Sequence, residues 1–301
     1  MGHRLNPVCT PAETSCPFNT PAYAAGLGHL GAVEMHPGGR FPVLRRPVPG
    51  TSLWDGVGPW PYLWVGAPSD LDALREDFPH LVTLTVVTQP GYVPKARFGD
   101  AVLLKQHFVY DPTLPPPAMS RRARGRLRRC EAAGTFEVVS DRGAWRAMTD
   151  AYTGLVRRRR LTGSLFDMPG GHFEAIADLD KSVLFRVRDA AGTGAMACGV
   201  VFGGLLQILH TATTESGLTW NASYLLMHGL QTFSRELGVR LLLGGMPESG
   251  TDGLRIFKAR WVNSHAPVYL LRIVNDPARY AALCSGASAD ASFFPAYRNR
   301  P

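Results

Sequence analysis

Nowhere in the 301 residues does an uninterrupted apolar run approach the roughly 18 to 20 residues of a bilayer-spanning helix, which argues against a helical membrane protein. The opening stretch, "MGHRLNPVCTPAETSCPF", has no apolar core of the secretory type, so a cytoplasmic protein is expected. Cysteine is scarce. The five residues, at 9, 16, 130, 198 and 284, are odd in number and form no Cys-x-x-Cys pair, which fits neither a disulfide framework nor a zinc or redox motif. Cys9 and Cys16, with His3 nearby, bring metal-ligating types together, but reduced structural thiols and no metal are the expectation. The sequence also lacks a Gly-x-Ser-x-Gly elbow, a P-loop, a His-Glu-x-x-His pair and a dinucleotide-binding glycine fingerprint, so the enzyme classes built on those motifs are set aside.

What is present is enough for a core. With 45% hydrophobic and 19% charged residues, the chain can build one large domain or two of ordinary size. Its net charge of +8 is concentrated: residues 121–160 hold twelve arginines against four acidic residues and account for all of it. Codon usage rich in GC also raises arginine content, but it would spread the residues along the chain. A focused cluster raises a local positive potential and points to a polyanionic partner such as tRNA, a nucleotide-linked substrate or the pyrophosphate of coenzyme A.

Along the chain, residues 1–54 are rich in proline and glycine and read as an irregular arm. A strand over Tyr62–Val65, a short helix starting at Ser69 or Asp70, a strand over Leu81–Val87 and a further strand ending at Asp111-Pro112 follow. Ser120 and Gly134 bracket a basic helix, with Ala123, Leu127 and Cys130 as its narrow apolar stripe. After the strand "TFEVVS" comes a helix with Trp145, Met148, Tyr152 and Leu155 inward, closed by Arg157 to Arg160, where cations suit the helix dipole. The remainder reads as a short helix, three strands, a long helix over 222–237 stopped at Gly238, a strand, the short helix "GLRIFKARW" and the closing strand "APVYLLRIV".

The order of these elements resembles the GNAT acyltransferase core, and more narrowly the Fem-type aminoacyltransferases and the acetyltransferase domains grouped with them. The residues that carry the resemblance are "SRRARGRLRRCEAAG", "ASYLLMHGLQTFSRELGVRLLLGG" and "GLRIFKARW", the last matching a Gly-Gly strand end followed by Gly-Leu, a gap and Phe-Lys. It spans residues 55–275 and is strongest over 183–275. It implies an α+β fold in which a mixed sheet is flanked by helices, in two tandem GNAT-like halves with the N-terminal one degenerate. The corresponding segments are an arm over 1–54, a degenerate half with the basic helix over 55–135, a catalytic half over 136–275 and a tail over 276–301. Acyl-CoA enzymes of this fold carry a Gln/Arg-x-x-Gly-x-Gly/Ala turn before the long helix, whose backbone amides cradle the pyrophosphate. Here that place reads "TTESGLTWNASY", with only Gly217 available and Glu215 of the wrong charge. Fem-type enzymes lack the turn too and draw their acyl group from aminoacyl-tRNA. The expected co-substrate is therefore aminoacyl-tRNA, with acyl-CoA as the alternative and no tightly bound cofactor.

Amide formation by acyl transfer needs a neutral acceptor amine, a donor to the developing oxyanion and a route for the proton. By resemblance, Lys258 stabilises that oxyanion or the 3′-terminal phosphate of the donor, with Phe257 packed beneath it; the other reading is a lysine snorkelling from an amphipathic helix. Asp252 and His210 are the candidates for proton transfer, with a turn-forming aspartate and a core histidine as the alternatives. Donor or substrate contacts are expected from Arg260, Trp261, Glu215, Asn221 and Tyr224. On the basic helix, Arg121, Arg122, Arg124 and Arg128 are expected to meet the polyanion. The acceptor is an amine-bearing small molecule or peptide. A non-enzymatic RNA-binding module, with the arginine helix as its footprint, is the reading from a different class.

Overall fold

The computed structural model describes residues 16–65, 74–94, 101–246, 252–285 and 293–299. Its elements begin with a short helix α1 (Pro21–Ala25), strands β1 (Ala32–Met35), β2 (Pro42–Pro47) and β3 (Trp54–Val57), the helical turn α2 (Leu74–Asp77), and strands β4 (Leu81–Val87) and β5 (Ala101–Tyr110). Helix α3 (Arg121–Ala133), strand β6 (Thr135–Val139) and helices α4 (Ala144–Arg159) and α5 (Gly170–Ala177) follow. Then come strands β7 (Ser182–Asp189), β8 (Gly192–Phe202) and β9 (Leu205–Thr213). The short α6 (Glu215–Trp220) leads directly into α7 (Ala222–Leu237), then β10 (Arg240–Met246), α8 (Asp252–Ala259), β11 (Ser264–Val274) and α9 (Pro277–Cys284). The chain divides into two compact units, Met1–Lys105 with Pro267–Pro301, and Gln106–Ala266.

In the first unit the strands run β1, β2, β3, β4, β11, with β3 and β4 parallel and the other pairs antiparallel. Residues 16–54, expected to be irregular, form two of these strands. Pro42 and Pro47 stand at the two ends of β2, where a missing ladder donor costs least, so the proline-rich composition concealed a strand whose Val43 and Leu44 are buried. Tyr62–Val65, expected to be a strand, makes only an isolated bridge, Leu63 to Thr88; the Val65 amide donates at 2.8 Å to the side-chain oxygen of Gln89 instead of to a neighbouring strand. The helix start at Ser69 or Asp70 lies outside the described residues, as do Cys9 and His3. Asp55, fully buried, accepts bonds from Arg46 Nε at 3.0 Å, Tyr297 Oη at 3.1 Å and Arg298 Nη2 at 3.0 Å, which pins the C-terminal segment within this unit.

The second unit holds the sheet order β5, β10, β9, β8, β7, β6, in which β9 and β10 are parallel and every other pair is antiparallel. Ser120 caps α3 by accepting the Ala123 amide, and Gly134 follows its last residue. Ala123 and Cys130 are buried and Leu127 half-buried, while most of the arginines face solvent. In α4 the buried positions are Ala144, Met148, Tyr152 and Val156, one every fourth residue; Trp145 and Leu155, expected to face inward, are half-buried at the edges of that stripe. Helix α7 buries Tyr224, Leu225, Leu226 and Leu230 and ends at Gly238 in the left-handed region, φ 66°. Glu131 of α3 pairs with His228 of α7, 3.2 Å apart, which ties the basic helix to the long one.

Between β9 and α7 the chain presses α6 onto β8 so closely that a Cβ on Gly217 would lie 1.8 Å from the Gly194 carbonyl oxygen, and one on Gly194 would lie 2.5 Å from the Trp220 ring. Both glycines are required by this approach, because backbone oxygen and a packed indole cannot move aside. Gly217→Ala is expected to lower unfolding stability by about 1–3 kcal/mol, with α6 lifted from β8. Denaturant titration of the two proteins measures the loss, and an unchanged midpoint would show that α6 is not packed in this way.

Candidate functional site

Lys258, half-buried, lies in the last turn of α8, and its Nζ stands 5.8 Å from the centre of the Phe108 ring on β5, within cation–π range. The same nitrogen would be 3.3 Å from a Cβ placed on Gly244, a residue of β10 with φ +76°. The register of β10 against β5 slips between Leu242 and Gly245, and the Gly244 amide turns out of the ladder to donate at 2.9 Å to Nε2 of the fully buried His107. That bond requires His107 Nε2 to be unprotonated. A glycine in the left-handed region, in a kinked strand, thus makes the space that the ammonium occupies.

On the other side of α8, Tyr224, Phe257 and Trp261 form an aromatic triangle. The Tyr224 ring meets Phe257 and Trp261 edge-on with centroids 5.5 and 5.6 Å apart, and Trp261 is fully buried. The Trp261 carbonyl accepts from Gln231 Nε2 of α7 at 2.7 Å, which locks the end of α8 to the long helix. The Tyr224 hydroxyl oxygen accepts two bonds, from Arg126 Nη1 at 3.1 Å and from Arg260 Nη1 at 2.9 Å, and the Arg126 guanidinium also lies 5.2 Å above the Tyr224 ring. A cavity of about 240 Å³ opens here, lined by Ser120, Arg122, Ala123, Arg126, Tyr224 and Arg260.

Of the residues the sequence singled out, Arg122, Tyr224 and Arg260 line the cavity, Phe257 and Trp261 pack on Tyr224, and Lys258 stands apart over Phe108 without lining the cavity. Arg121 and Arg128 are exposed on α3, and Arg124 donates back to the Met119 carbonyl; none of the three lines the cavity. Asn221 joins α6 to α7 in the left-handed conformation, φ 63°, and Glu215 is exposed in the first turn of α6. Asp252 opens α8, and its side chain lies outside the described residues. His210 is placed elsewhere: it is buried, its Nε2 lies 2.9 Å from His172 Nε2, and the rings of Tyr152 and Phe173 pack on it. It does not line the cavity.

Arg126, Phe108, His107 and Gly244 were missed. Arg126 had a signal, since it falls four residues after Arg122 on one face of a helix whose caps were legible. His107 and Phe108 had none, because their role depends on a strand pairing between residues more than a hundred positions apart.

Before α7 three backbone amides are bonded within the turn. Gly217 N–H donates to Thr214 Oγ1 at 3.1 Å, Leu218 N–H to the Thr214 carbonyl at 3.0 Å and Asn221 N–H to the Leu218 carbonyl at 3.4 Å. The Cys130 thiol, its pKa raised chiefly by burial, donates to the Trp220 carbonyl at 3.1 Å and holds α3 against this turn.

No protein-family model matches the chain, and no curated protein matches it. Among solved structures it is similar to FemX, with a TM-score of 0.61 and 12% identity over 88% of this chain and 94% of that one. It is also similar to L-PGS from Bacillus licheniformis, with a TM-score of 0.55 and 13% identity over 90% of this chain and 95% of that one. A C-terminal domain assigned to lysylphosphatidylglycerol synthetase in Agrobacterium fabrum gives 0.57 and 17%, over 89% and 91% of the two chains. At these identities the likeness is one of fold: the chain has a mixed α+β fold, a mixed sheet flanked by helices, similar to that of FemX. No described helix is long and apolar enough to cross a membrane.

Burial, and after it the neighbouring His172, hold the His210 pKa well below the ordinary imidazole value, so the folded protein keeps His210 neutral where the unfolded chain protonates it. Its contribution to stability is complete above about pH 6.5 and is lost as the pH falls, at up to about 1.4 kcal/mol per pH unit. Urea unfolding at pH 7 and pH 5 is expected to show this loss, and His210→Asn to reduce the slope by about one proton; an identical slope in the variant would contradict the assignment.

Proposed function

We propose that this protein is an acyltransferase that forms an amide by moving an aminoacyl group from aminoacyl-tRNA to the amine of a small-molecule or peptide acceptor. The observation that carries the donor half of this reading is the closed turn before α7. Acyl-CoA enzymes of the fold use free amides there, whereas here the amides of Gly217, Leu218 and Asn221 are bonded within the turn and α6 is packed onto β8. The exposed arginines of α3 and the cluster Arg157 to Arg160 offer a polyanion an alternative surface. FemX and L-PGS share the fold, and the synthetase is named for joining lysine to phosphatidylglycerol.

In the proposed reaction the acceptor nitrogen attacks the ester carbonyl that joins the amino acid to the terminal ribose. The carbonyl oxygen gathers negative charge, and the Lys258 ammonium beside Phe108 is the group assigned to stabilise it. Collapse breaks the bond to the ribose oxygen, which takes up the proton that the attacking amine gives off. No side chain is assigned as the base: His210 is enclosed by aromatic rings, and the leaving oxygen can receive the proton directly or through the substrate's own hydroxyl.

Two measurements test the reading. Titration of the protein with total charged tRNA and with acetyl-CoA, each at two salt concentrations, is expected to give micromolar tRNA binding that weakens steeply with salt and no saturable CoA binding. Saturable CoA binding together with weak, salt-insensitive tRNA binding would instead identify an acyl-CoA enzyme. Lys258→Met is then expected to lower kcat by about 100-fold or more while tRNA affinity changes by about twofold at most. Undiminished turnover in the variant would remove Lys258 from the chemistry.

A further inference from the structure

The cavity beside Tyr224 is built for an anion. Arg126 and Arg260 come from different elements yet donate to one hydroxyl oxygen, so their nitrogens lie within about 6 Å of each other. Arg122 lines the same space from the first turn of α3, and no carboxylate among the described residues is ion-paired with any of the three. Two guanidinium groups held this close, with a third lining the same space, repel one another unless something negative joins them.

The rest of the lining sharpens the ligand class. Tyr224 accepts from both arginines, so its own hydrogen is left to donate. Ser120 accepts the Ala123 amide and likewise keeps its hydrogen. What the side chains offer is therefore donors: the remaining N–H groups of three arginines and two hydroxyls. A volume of about 240 Å³ is below the roughly 300–1,000 Å³ of a site that encloses a whole ligand, so the cavity takes one end group or one backbone unit of a larger molecule.

We propose that this cavity is a phosphate subsite, holding a phosphoryl oxyanion through Arg122, Arg126, Arg260 and the hydroxyl of Tyr224. A phosphoryl group brings several acceptor oxygens and up to two charges, which matches this donor set better than the two oxygens and single charge of a carboxylate. The subsite rests on the acyl-transfer reading only for the identity of the molecule that carries the phosphate: the RNA backbone of the donor, or the phosphate of a coenzyme.

The test is calorimetric titration of the full chain with inorganic phosphate, at ionic strength fixed with chloride and with acetate as comparison. Saturable phosphate binding is expected, with acetate weaker by at least about tenfold. Arg126→Gln with Arg260→Gln is expected to weaken phosphate binding by about tenfold or more, and Arg122→Gln by about threefold. Circular dichroism reports whether the double variant folds. If it does not, Arg122→Gln decides alone, because Arg122 is exposed and its removal disturbs no packed group. Absent saturation, equal affinity for acetate, or unchanged affinity in the folded variants would overturn the subsite.

Competition then names the source. Displacement of phosphate by a short RNA ending in cytidine-cytidine-adenosine assigns it to the donor RNA, and displacement by coenzyme A assigns it to a coenzyme. Displacement by neither overturns the subsite as part of a donor site. Aminoacyl transfer is assayed separately: if it fails while phosphate binding is saturable and arginine-dependent, the reaction is wrong and the subsite stands.

Discussion

Tyr224 is held both by its ring and by its hydroxyl, and the two holds together join three elements. The ring sits edge-on to Phe257 and Trp261 and fixes α8 against α7; the hydroxyl gathers Arg126 from α3 and Arg260 from the end of α8. Edge-to-face aromatic contacts add about 0.5–1.5 kcal/mol each beyond the area they bury, so the triangle is a stable platform as well as a spacer. The two arginines have opposite consequences: each bond to the hydroxyl is favourable, yet bringing the guanidinium groups together is not. The platform stabilises what their mutual repulsion would otherwise separate, and an anion in the cavity would relieve that repulsion. Because Lys258 is on the same helix, its position over Phe108 depends on the same platform.

A second constraint acts at the start of α7. Helix N-termini attract anions because their first amides lack partners within the helix. This chain bonds three amides of the turn internally, by folding six residues into α6, capping it with Thr214 and pressing Gly217 against Gly194. Under the proposed reading, guanidinium groups on α3 and after α8 supply the attraction for anions instead. Fixed amides select a ligand by the shape of a turn, whereas arginines on a helix surface track an extended polyanion and remain sensitive to salt. The closed turn comes from the short segment "TTESGLTWNASY", the open arginine face from α3 and the residues after α8.

Much of this arrangement is legible in the amino-acid sequence. The caps Ser120 and Gly238 define helix ends whose side-chain or backbone chemistry is local, and they stand where expected. The pairing of Phe257 with Trp261 is legible too, because a spacing of four residues brings side chains to one face. The failures have the opposite character. Strand β2 is hidden because its prolines stand at ends that only pairing with β1 and β3 reveals. Phe108 and His107 matter through Gly244, and that meeting is a product of antiparallel pairing with a register slip, which no local pattern announces. For His210 the strand pattern leaves a core and a cleft position open, because it does not say which face is covered; Tyr152 and Phe173 pack on this one.

The choice of cation at each place follows from geometry. Beside Gly244 the space is a notch left by a missing side chain, and the charge that enters it lies over a phenyl ring. A lysine suits such a notch: its ammonium is a compact point charge on a flexible stem, able to follow an oxygen whose charge grows during a reaction. Around the cavity the requirement differs, because a ligand held there must be oriented and not merely neutralised. Guanidinium forks present donors in fixed planes, and two of them are already aligned by bonds to a common hydroxyl. Under the proposed reading, one lysine would meet a transient charge and several arginines a permanent one. Exchanging the two residue types would keep the net charge while removing both the compact ammonium beside Gly244 and the planar forks around the cavity, so the proposed site would be distinguished from a merely basic surface by geometry and not by charge.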